Sequence, residues 1–368
     1  MKICFYSATR SPLDILKGAA TERGGAEKQI AHLAQALAGR GHQVYLLYSD
    51  PASNEQPDKV ASIYCRKTNL TTWKQPGALV TFWRCLQQIQ PDIIYARLPD
   101  DFLWLLSLFA RLHKNTKFIY ALANDRHCNP WRVYDYNAWF HNPLYALGLS
   151  TAHVVLIQHE AQRALVQPYT AGAIKHLPNV MRTFVEQPRD YRAADIDAIW
   201  VAQVRPQKQL ARFLDLVEQL PHLRFALIGA FTNMVDEPTQ ARLKARIQQL
   251  PNLTYLGLQK PNDALRWVAR SKVLVNTSSE EGFPNTMLEA WSVGVPVVSL
   301  TIDPGGVIQR EALGCVSGTA PQMVQDVQQL VNSAERNGRL GANGLAYVRK
   351  THGVETVLDT FEQFMQEA

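Results

Sequence analysis

The sequence predicts an α/β protein built from two doubly wound parallel sheets, and three observations carry that expectation. Short apolar runs of strand length alternate with helix-period stretches along nearly the whole chain. The alternation lapses once, over the polar and unpatterned residues 181–195 (MRTFVEQPRDYRAAD), and then restarts. The 368 residues, 46% of them hydrophobic, are enough for two cores of about 150 to 200 residues each. Residues 1–180 and 181–354 are therefore the expected domains, joined by a linker, with the carboxyl ends of both sets of strands facing a cleft where ligands bind.

The elements follow in order. KICFYSA opens as a strand, the glycine-bearing loop ATERGGAEKQ comes next, and AEKQIAHLAQALAGRG has helical period until Gly39 and Gly41 end it. QVYLLYSD is the second strand. A helix over 77–89, the strand PDIIYARL, an apolar helix over 102–113 and the strand KFIYALAND continue the pattern. An aromatic insertion, RHCNPWRVYDYNAWFHNPLY, interrupts it before the strand HVVLIQ, and LPNV at 177–180 closes the domain. In the second domain the strands AIWVAQV, RFALIGA, NLTYLGL, KVLVNTS and VPVVSL alternate with helices at QLARFLDLVEQL, TQARLKARIQQL, NDALRWVARS and the stretch after Pro284.

Composition narrows the function classes. Five scattered cysteines, none in a C-x-x-C pair, suggest neither a disulfide framework nor a zinc site. The apolar start of MKICFYSATR is too short for a signal peptide, and the 102–112 run carries Arg111 and falls short of the roughly 20 residues of a spanning helix. A cytoplasmic protein is expected. Residues 1–180 hold 19 Lys and Arg against 12 Asp and Glu, and the remainder 19 against 20. The basic half points to an anionic partner, such as the inner face of a membrane carrying acidic lipids. No block of five basic residues and no nucleic-acid motif occurs, so nucleic acid is not an expected partner.

The densest chemistry lies in SSEEGFPNTMLEAWSVGVPVVSL, residues 278–300. Glu281 falls on the loop after KVLVNTS, at the carboxyl edge of the second sheet. Pro284 suits the first turn of a helix, Asn285 or Thr286 suits its cap, and the amides of Thr286 and Met287 are expected to point outward as a phosphate site. Helical side chains lean toward the N-terminus, which brings Glu289 toward the same place. Carboxylates accept hydrogen bonds from hydroxyls, so the arrangement suits a nucleoside diphosphate sugar: Glu289 on the ribose, the amides on phosphate, Glu281 on the sugar. After AIWVAQV, RPQKQ sets Arg205 and Lys208 at another strand end, where two cations would neutralise a departing diphosphate. Gly24 and Gly25 read as a loop allowing close backbone approach.

In this setting the chain resembles the retaining glycosyltransferases of family four, of GT-B architecture. EGFPNTMLE, Glu281 to Glu289, is similar to that family's E-x7-E signature, and VAQVRPQKQ to its phosphate-gripping loop. RGGAE, RGHQV and LPNV are similar to its other landmarks, in the expected order. The resemblance implies sugar transfer from a UDP- or GDP-linked donor to a carbohydrate or lipid-linked acceptor, with retention at the anomeric carbon, no cofactor and no metal. It implies catalytic roles for Glu281, Lys208 and Arg205, and donor contacts from Gly282, Phe283, Asn285, Thr286, Met287, Glu289, Gly229, Gly24 and Gly25. The first domain would take the acceptor, and a last helix at 355–368 would pack back on it.

The chain departs from the family where Ala202, Gln203 and Val204 stand in place of its Gly-Arg-Leu, leaving Arg205 as the substitute arginine. Where the family often has a histidine after the fourth main strand, Asn124, Asp125 and His127 are all candidates for a sugar or acceptor contact. Asp195-Ile196-Asp197 spells a D-x-D but precedes a strand, at the wrong edge for a metal site. A dinucleotide-dependent oxidoreductase is disfavoured because RGGAE is not G-x-G-x-x-G. A nucleotide-sugar epimerase of similar architecture and a non-catalytic nucleotide-sugar binder are the remaining rivals.

Overall fold

The computed structural model describes residues 1–19, 24–50, 57–68, 70, 76–135, 137–182, 185–186 and 191–367. The chain divides into two compact units, Met1–Val180 with Val354–Ala368, and Met181–Gly353.

The first unit runs β1 (Lys2–Ser7), α1 (Ser11–Leu16), α2 (Gly25–Gly39), β2 (Gln43–Tyr48), β3 (Lys59–Val60), β4 (Ile63–Lys67), α3 (Pro76–Ile89), β5 (Ile93–Ala96), α4 (Leu103–Leu112), β6 (Lys117–Ala121), α5 (Ala138–Thr151), β7 (Val154–Ile157), α6 (Ala161–Val166) and β8 (Ala173–His176). Its eight strands lie in the order β3-β4-β2-β1-β5-β6-β7-β8. All pair in parallel except β3, which forms an antiparallel hairpin with β4. β5 and β7 are buried at every position, as expected of parallel strands with helices on both faces. One face is covered around Phe82, Phe109, Phe118 and Tyr145, the other around Phe5, Leu33, Tyr48 and Tyr95.

The second unit runs β9 (Ile196–Val201), α7 (Leu210–Gln219), β10 (Phe225–Ile228), α8 (Glu237–Gln249), β11 (Leu253–Gly257), α9 (Pro261–Ala269), β12 (Ser271–Asn276), α10 (Asn285–Ser292), β13 (Val297–Ser299), α11 (Val307–Arg310), β14 (Gly314–Val316), α12 (Ala320–Asn332) and α13 (Ala334–His352). Its six strands are all parallel, in the order β11-β10-β9-β12-β13-β14. The strand order reverses between β9 and β12. In open α/β sheets this is where ligands bind, outside the carboxyl ends of the two strands.

The chain then returns to the first unit as α14 (Val354–Glu367). Val357, Leu358 and Phe361 are buried in that unit's core. Arg40, at the end of α2, pairs with Asp359 at 2.6 Å, with Glu362 at 2.9 Å and with Glu355. The 181–195 stretch, expected to be a free linker, is partly tied down: Met181 N–H donates to His352 O at 2.8 Å and Val185 N–H to Ser292 O at 3.1 Å. The residues at 183–184 and 187–190 of that stretch lie outside the described residues.

The aromatic insertion splits between two roles. Tyr145 is fully buried, its hydroxyl bonded to Tyr120, whereas Trp131 and Trp139 are 56% and 81% exposed. Among the described residues no helix is long and apolar enough to cross a membrane.

Candidate active site

At the strand-order reversal of the second unit, the loops after β9 and β12 are sewn together. Ser279 N–H donates to Gln207 O at 2.9 Å, and Thr277 Oγ1 donates to Lys208 O at 2.8 Å. Thr277 Oγ1 in turn accepts from the buried Trp200 Nε1 at 2.9 Å. The two Thr277 bonds satisfy polar groups that burial would otherwise leave costly, since Thr277 and Trp200 are 0% and 2% exposed. Their joint effect is to place Lys208 against Glu281, and the two side chains form an ion pair, 22% and 12% exposed. Ser278 Oγ donates to the same Glu281 oxygen at 2.8 Å, fixing the carboxylate from a second direction. Arg205 opens the turn that carries Lys208 and accepts the Lys208 N–H on its carbonyl at 3.0 Å. Two cations and one carboxylate therefore sit on adjoining strand ends.

Gly229 follows the end of β10 and lies against the loop that leads to Lys208. A Cβ there would stand 1.8 Å from the Ala202 carbonyl oxygen, so no other residue fits without moving the loop that leads to Lys208. Tyr255 OH donates to Gly229 O at 2.9 Å from the next strand.

The helix start differs from expectation. Pro284 is itself the cap residue, with extended ψ of 121°, and α10 begins at Asn285 without a side-chain cap. Proline has no N–H, but its carbonyl still accepts, and Met287 N–H donates to Pro284 O at 3.2 Å. Met287 is thus corrected from an outward amide to one already used. Among the described residues the Thr286 N–H has no acceptor, which keeps it as the candidate donor of this helix start. Phe283 is also committed elsewhere: it is 7% exposed and its ring packs on Trp291 and His352. Gly282 is buried beside it, and Asn285 and Glu289 are half-buried.

In the first unit Gly24 caps α2 in extended geometry and Gly25 begins the helix instead of lying in a loop. Their neighbour Arg23 lies outside the described residues. After β6, Asn124, Asp125 and His127 fall in one short turn. Burial, reinforced by the charges of Arg126 and Arg97, pushes His127 down to about 3. A histidine kept neutral in the fold stabilises fully above its unfolded value of about 6.5 and progressively less as pH falls toward 3. Replacement by Gln should therefore flatten the stability profile. The loss in unfolding free energy between pH 7.5 and 5, read from urea midpoints, should shrink by up to about 2 kcal/mol relative to wild type.

The two aspartates of the D-x-D have structural partners. Asp195 pairs with the exposed Arg270, and the buried Asp197 binds Lys272 at 2.8 Å and the Arg224 N–H at 2.8 Å. Sequence reasoning missed Ser278, Thr277 and Trp200 as supports of the ion pair, and in the first unit it missed His159 and Gln162, whose side chains both reach Asp125. Only proximity to Glu281 in sequence marks Ser278.

Two cations and an anchored carboxylate thus lie together at the switch point of a doubly wound sheet. The comparisons agree at the level of family. Residues 196–333 match the family described as Glycosyl transferases group 1, and residues 23–183 that described as Glycosyltransferase Family 4. Between them the matches take in most of both units, so the chain carries both of these glycosyltransferase family domains. Relatives include Glycosyltransferase 1 domain-containing protein 1 of Xenopus tropicalis, 29% identical over 147 residues, covering 39% of this chain and 41% of the relative. An uncharacterized glycosyltransferase of Methanocaldococcus jannaschii is 22% identical over 251 residues, covering 60% of this chain and 58% of its own. The chain thus spans about half the length of these relatives. Among solved structures, sucrose-phosphate synthase of Thermosynechococcus elongatus superposes with a TM-score of 0.80 at 17% identity, covering 100% of this chain and 98% of that one. Anabaena HepE in complex with UDP and glucose superposes at 0.72 and 14% identity, with 100% of both chains covered. These structural likenesses show the fold.

Proposed function

We propose that this chain is a retaining, metal-independent glycosyltransferase that moves a sugar from a nucleoside diphosphate sugar to an acceptor hydroxyl during polysaccharide, lipopolysaccharide or glycolipid assembly. The Lys208–Glu281 pair on its stitched strand-end loops carries this reading. A diphosphate leaves as a stabilised anion, so the reaction needs positive charge where the leaving group develops negative charge, and no general acid. Lys208, Arg205 and the Thr286 amide supply it, while Glu281 and Glu289 accept from the sugar and ribose hydroxyls. The anomeric C–O bond breaks with its electron pair going to the diphosphate. The acceptor oxygen then bonds to the anomeric carbon from the face the diphosphate leaves, and its proton passes to a phosphate oxygen. UDP seen with HepE supports UDP as donor nucleotide, with GDP as the alternative. The acceptor is a carbohydrate or lipid-linked sugar. The exposed Trp131 and Trp139 on the basic first unit support a peripheral contact with an anionic membrane.

Thermal unfolding in the presence of UDP-glucose, UDP-N-acetylglucosamine and GDP-mannose tests the donor assignment. At ten times Kd one of them should stabilise the protein by about 1.4 kcal/mol, a rise of about 3–6 °C for a domain of this size. No shift with any of the three would count against a nucleotide-sugar site.

A further inference from the structure

The three helices on one face of the first sheet are apolar on both of their sides. α3, α4 and α5 bury Phe82, Phe109 and Tyr145 against the sheet. Outward they carry Val80, Leu108, Leu112, Trp139, Phe140 and Leu147, six of the twelve large hydrophobic side chains left exposed among the described residues. Exposed apolar residues scattered singly are ordinary, but half of them gathered on three neighbouring helices form a patch, and such patches mark contact surfaces. α4 carries the sharpest conflict: Leu106 and Phe109 are buried in the core while Leu108 and Leu112 face out, Leu112 at 63% exposure. Water alone is a poor neighbour for a helix that is apolar all round.

The helices adjoin one another. Between α4 and α5, Ser107 Oγ donates to Thr151 O at 2.8 Å. Between α3 and α4 lies a groove of about 320 Å³ lined by Leu79, Val80, Trp83 and Leu105, with Arg84 and Gln87 beside them.

The formal charges on these helices have one sign. α3, α4 and α5 run for 14, 10 and 14 residues without an Asp or Glu. Arg84 on α3, Arg111 in the last turn of α4 and Lys114 just beyond it are exposed, and among the described residues none of the three pairs with a carboxylate. The opposite face of the same sheet is covered by α14, which presents the exposed Glu355 and Asp359. An apolar patch edged by cations complements an anionic bilayer: acyl chains receive the hydrophobic side chains, and acidic headgroups receive the Arg and Lys. Trp139, at the start of α5, suits the headgroup level. A second copy of the chain fits less well, because a two-fold contact would set the same cations against one another.

We propose that the outer face of α3, α4 and α5 docks on an anionic lipid bilayer, with the α14 side of the first sheet turned away from the lipid. This rests on the peripheral contact proposed above and needs none of the catalytic residues. Co-sedimentation of the full chain tests it, with vesicles of phosphatidylcholine alone and of equal parts phosphatidylcholine and phosphatidylglycerol. Wild type should bind the mixed vesicles about tenfold to a hundredfold more tightly than the neutral ones, since each cation near such a surface contributes about fivefold.

Leu112→Glu and the double variant Arg84→Glu/Arg111→Glu should each lose about tenfold or more on mixed vesicles. Thr356→Glu, which adds the same charge to the exposed side of α14, should stay within about twofold of wild type, because at that distance the charge is screened. All the substituted positions are exposed, so melting temperatures should not change, and they identify any variant that misfolds. If the α3 and α4 variants bind as wild type does, or Thr356→Glu loses as much as they do, this face is not the docking surface, although a peripheral contact elsewhere survives. Wild type that fails to bind mixed vesicles overturns the face and the peripheral contact together. A dimer in sedimentation velocity that Leu112→Glu dissociates gives the face to a second copy and overturns the proposal as well.

Discussion

Replacing Lys208 by Ala is expected to lower kcat by about 10²- to 10³-fold while leaving the protein folded, because removing one preorganised donor from a developing oxyanion costs on that order. The ammonium is held beside the site by bonds from Thr277 and Ser279 to its own loop, none of which involves its side chain. The backbone therefore survives the substitution. Glu281 keeps its bond from Ser278 when the lysine is gone, so the remaining carboxylate is neither mobile nor unpaired. Glu281→Ala should show a comparable fall in turnover, with a rise in donor KM from the lost hydroxyl contact. Because the two side chains are paired, their effects should not add: the double variant should fall within about tenfold of the worse single one. Steady-state release of nucleoside diphosphate, with melting temperatures as a control on folding, measures all three variants. Near-normal turnover in Lys208→Ala would remove the electrostatic basis of the proposed mechanism.

The alternation of strands and helices was legible because the central strands are buried on both faces and read as short apolar runs, as in KICFYSA and HVVLIQ. What lacked such a signal was missed. The β3–β4 hairpin turns through Ala61 and Ser62 at φ of 47° and 67°, without the glycine or asparagine that usually marks such a turn. The cap was expected at Asn285 or Thr286, one or two residues late, since proline suits both a cap and a first turn and the sequence does not choose between them. Candidate site residues were named where a strand end and a charge coincide, as at Lys208. Their partners were not, because pairing between positions 208 and 281 depends on β9 lying beside β12, which the alternation does not specify. His159 and Gln162 were invisible for the same reason: each looks like an ordinary residue at the start of α6, and only the approach of β6 to β7 sets them under Asp125.

The second large effect concerns the seat of α10, which carries Thr286 and Glu289. This helix packs on α13 through two glycines. A Cβ on Gly341 would stand 2.2 Å from the Gly294 carbonyl oxygen, and one on Gly344 would stand 2.7 Å from Cδ1 of the fully buried Trp291. Trp291 cannot retreat easily, because its Nε1 donates to Leu313 O at 3.0 Å. Two opposed terms act when either glycine becomes alanine. Helix propensity favours alanine by about 1 kcal/mol, while forcing a methyl against backbone costs about 1–3 kcal/mol in a packed core, occasionally more. At Gly341 the obstacle is a carbonyl and not a flexible side-chain tip, so the clash should win, and Gly341→Ala should destabilise the second unit by about 1–2 kcal/mol net. Gly338, three residues earlier on the same helix, is exposed with nothing within 4 Å of its virtual Cβ. There only the propensity term remains, and Gly338→Ala should stabilise by up to about 1 kcal/mol. Urea unfolding of the two single variants thus separates helix propensity from packing by sign. Donor binding should weaken only in Gly341→Ala, where α10 must shift to admit the methyl. If both variants stabilise equally, α10 is not held by close approach to α13, and the position of the Thr286 amide has some other cause.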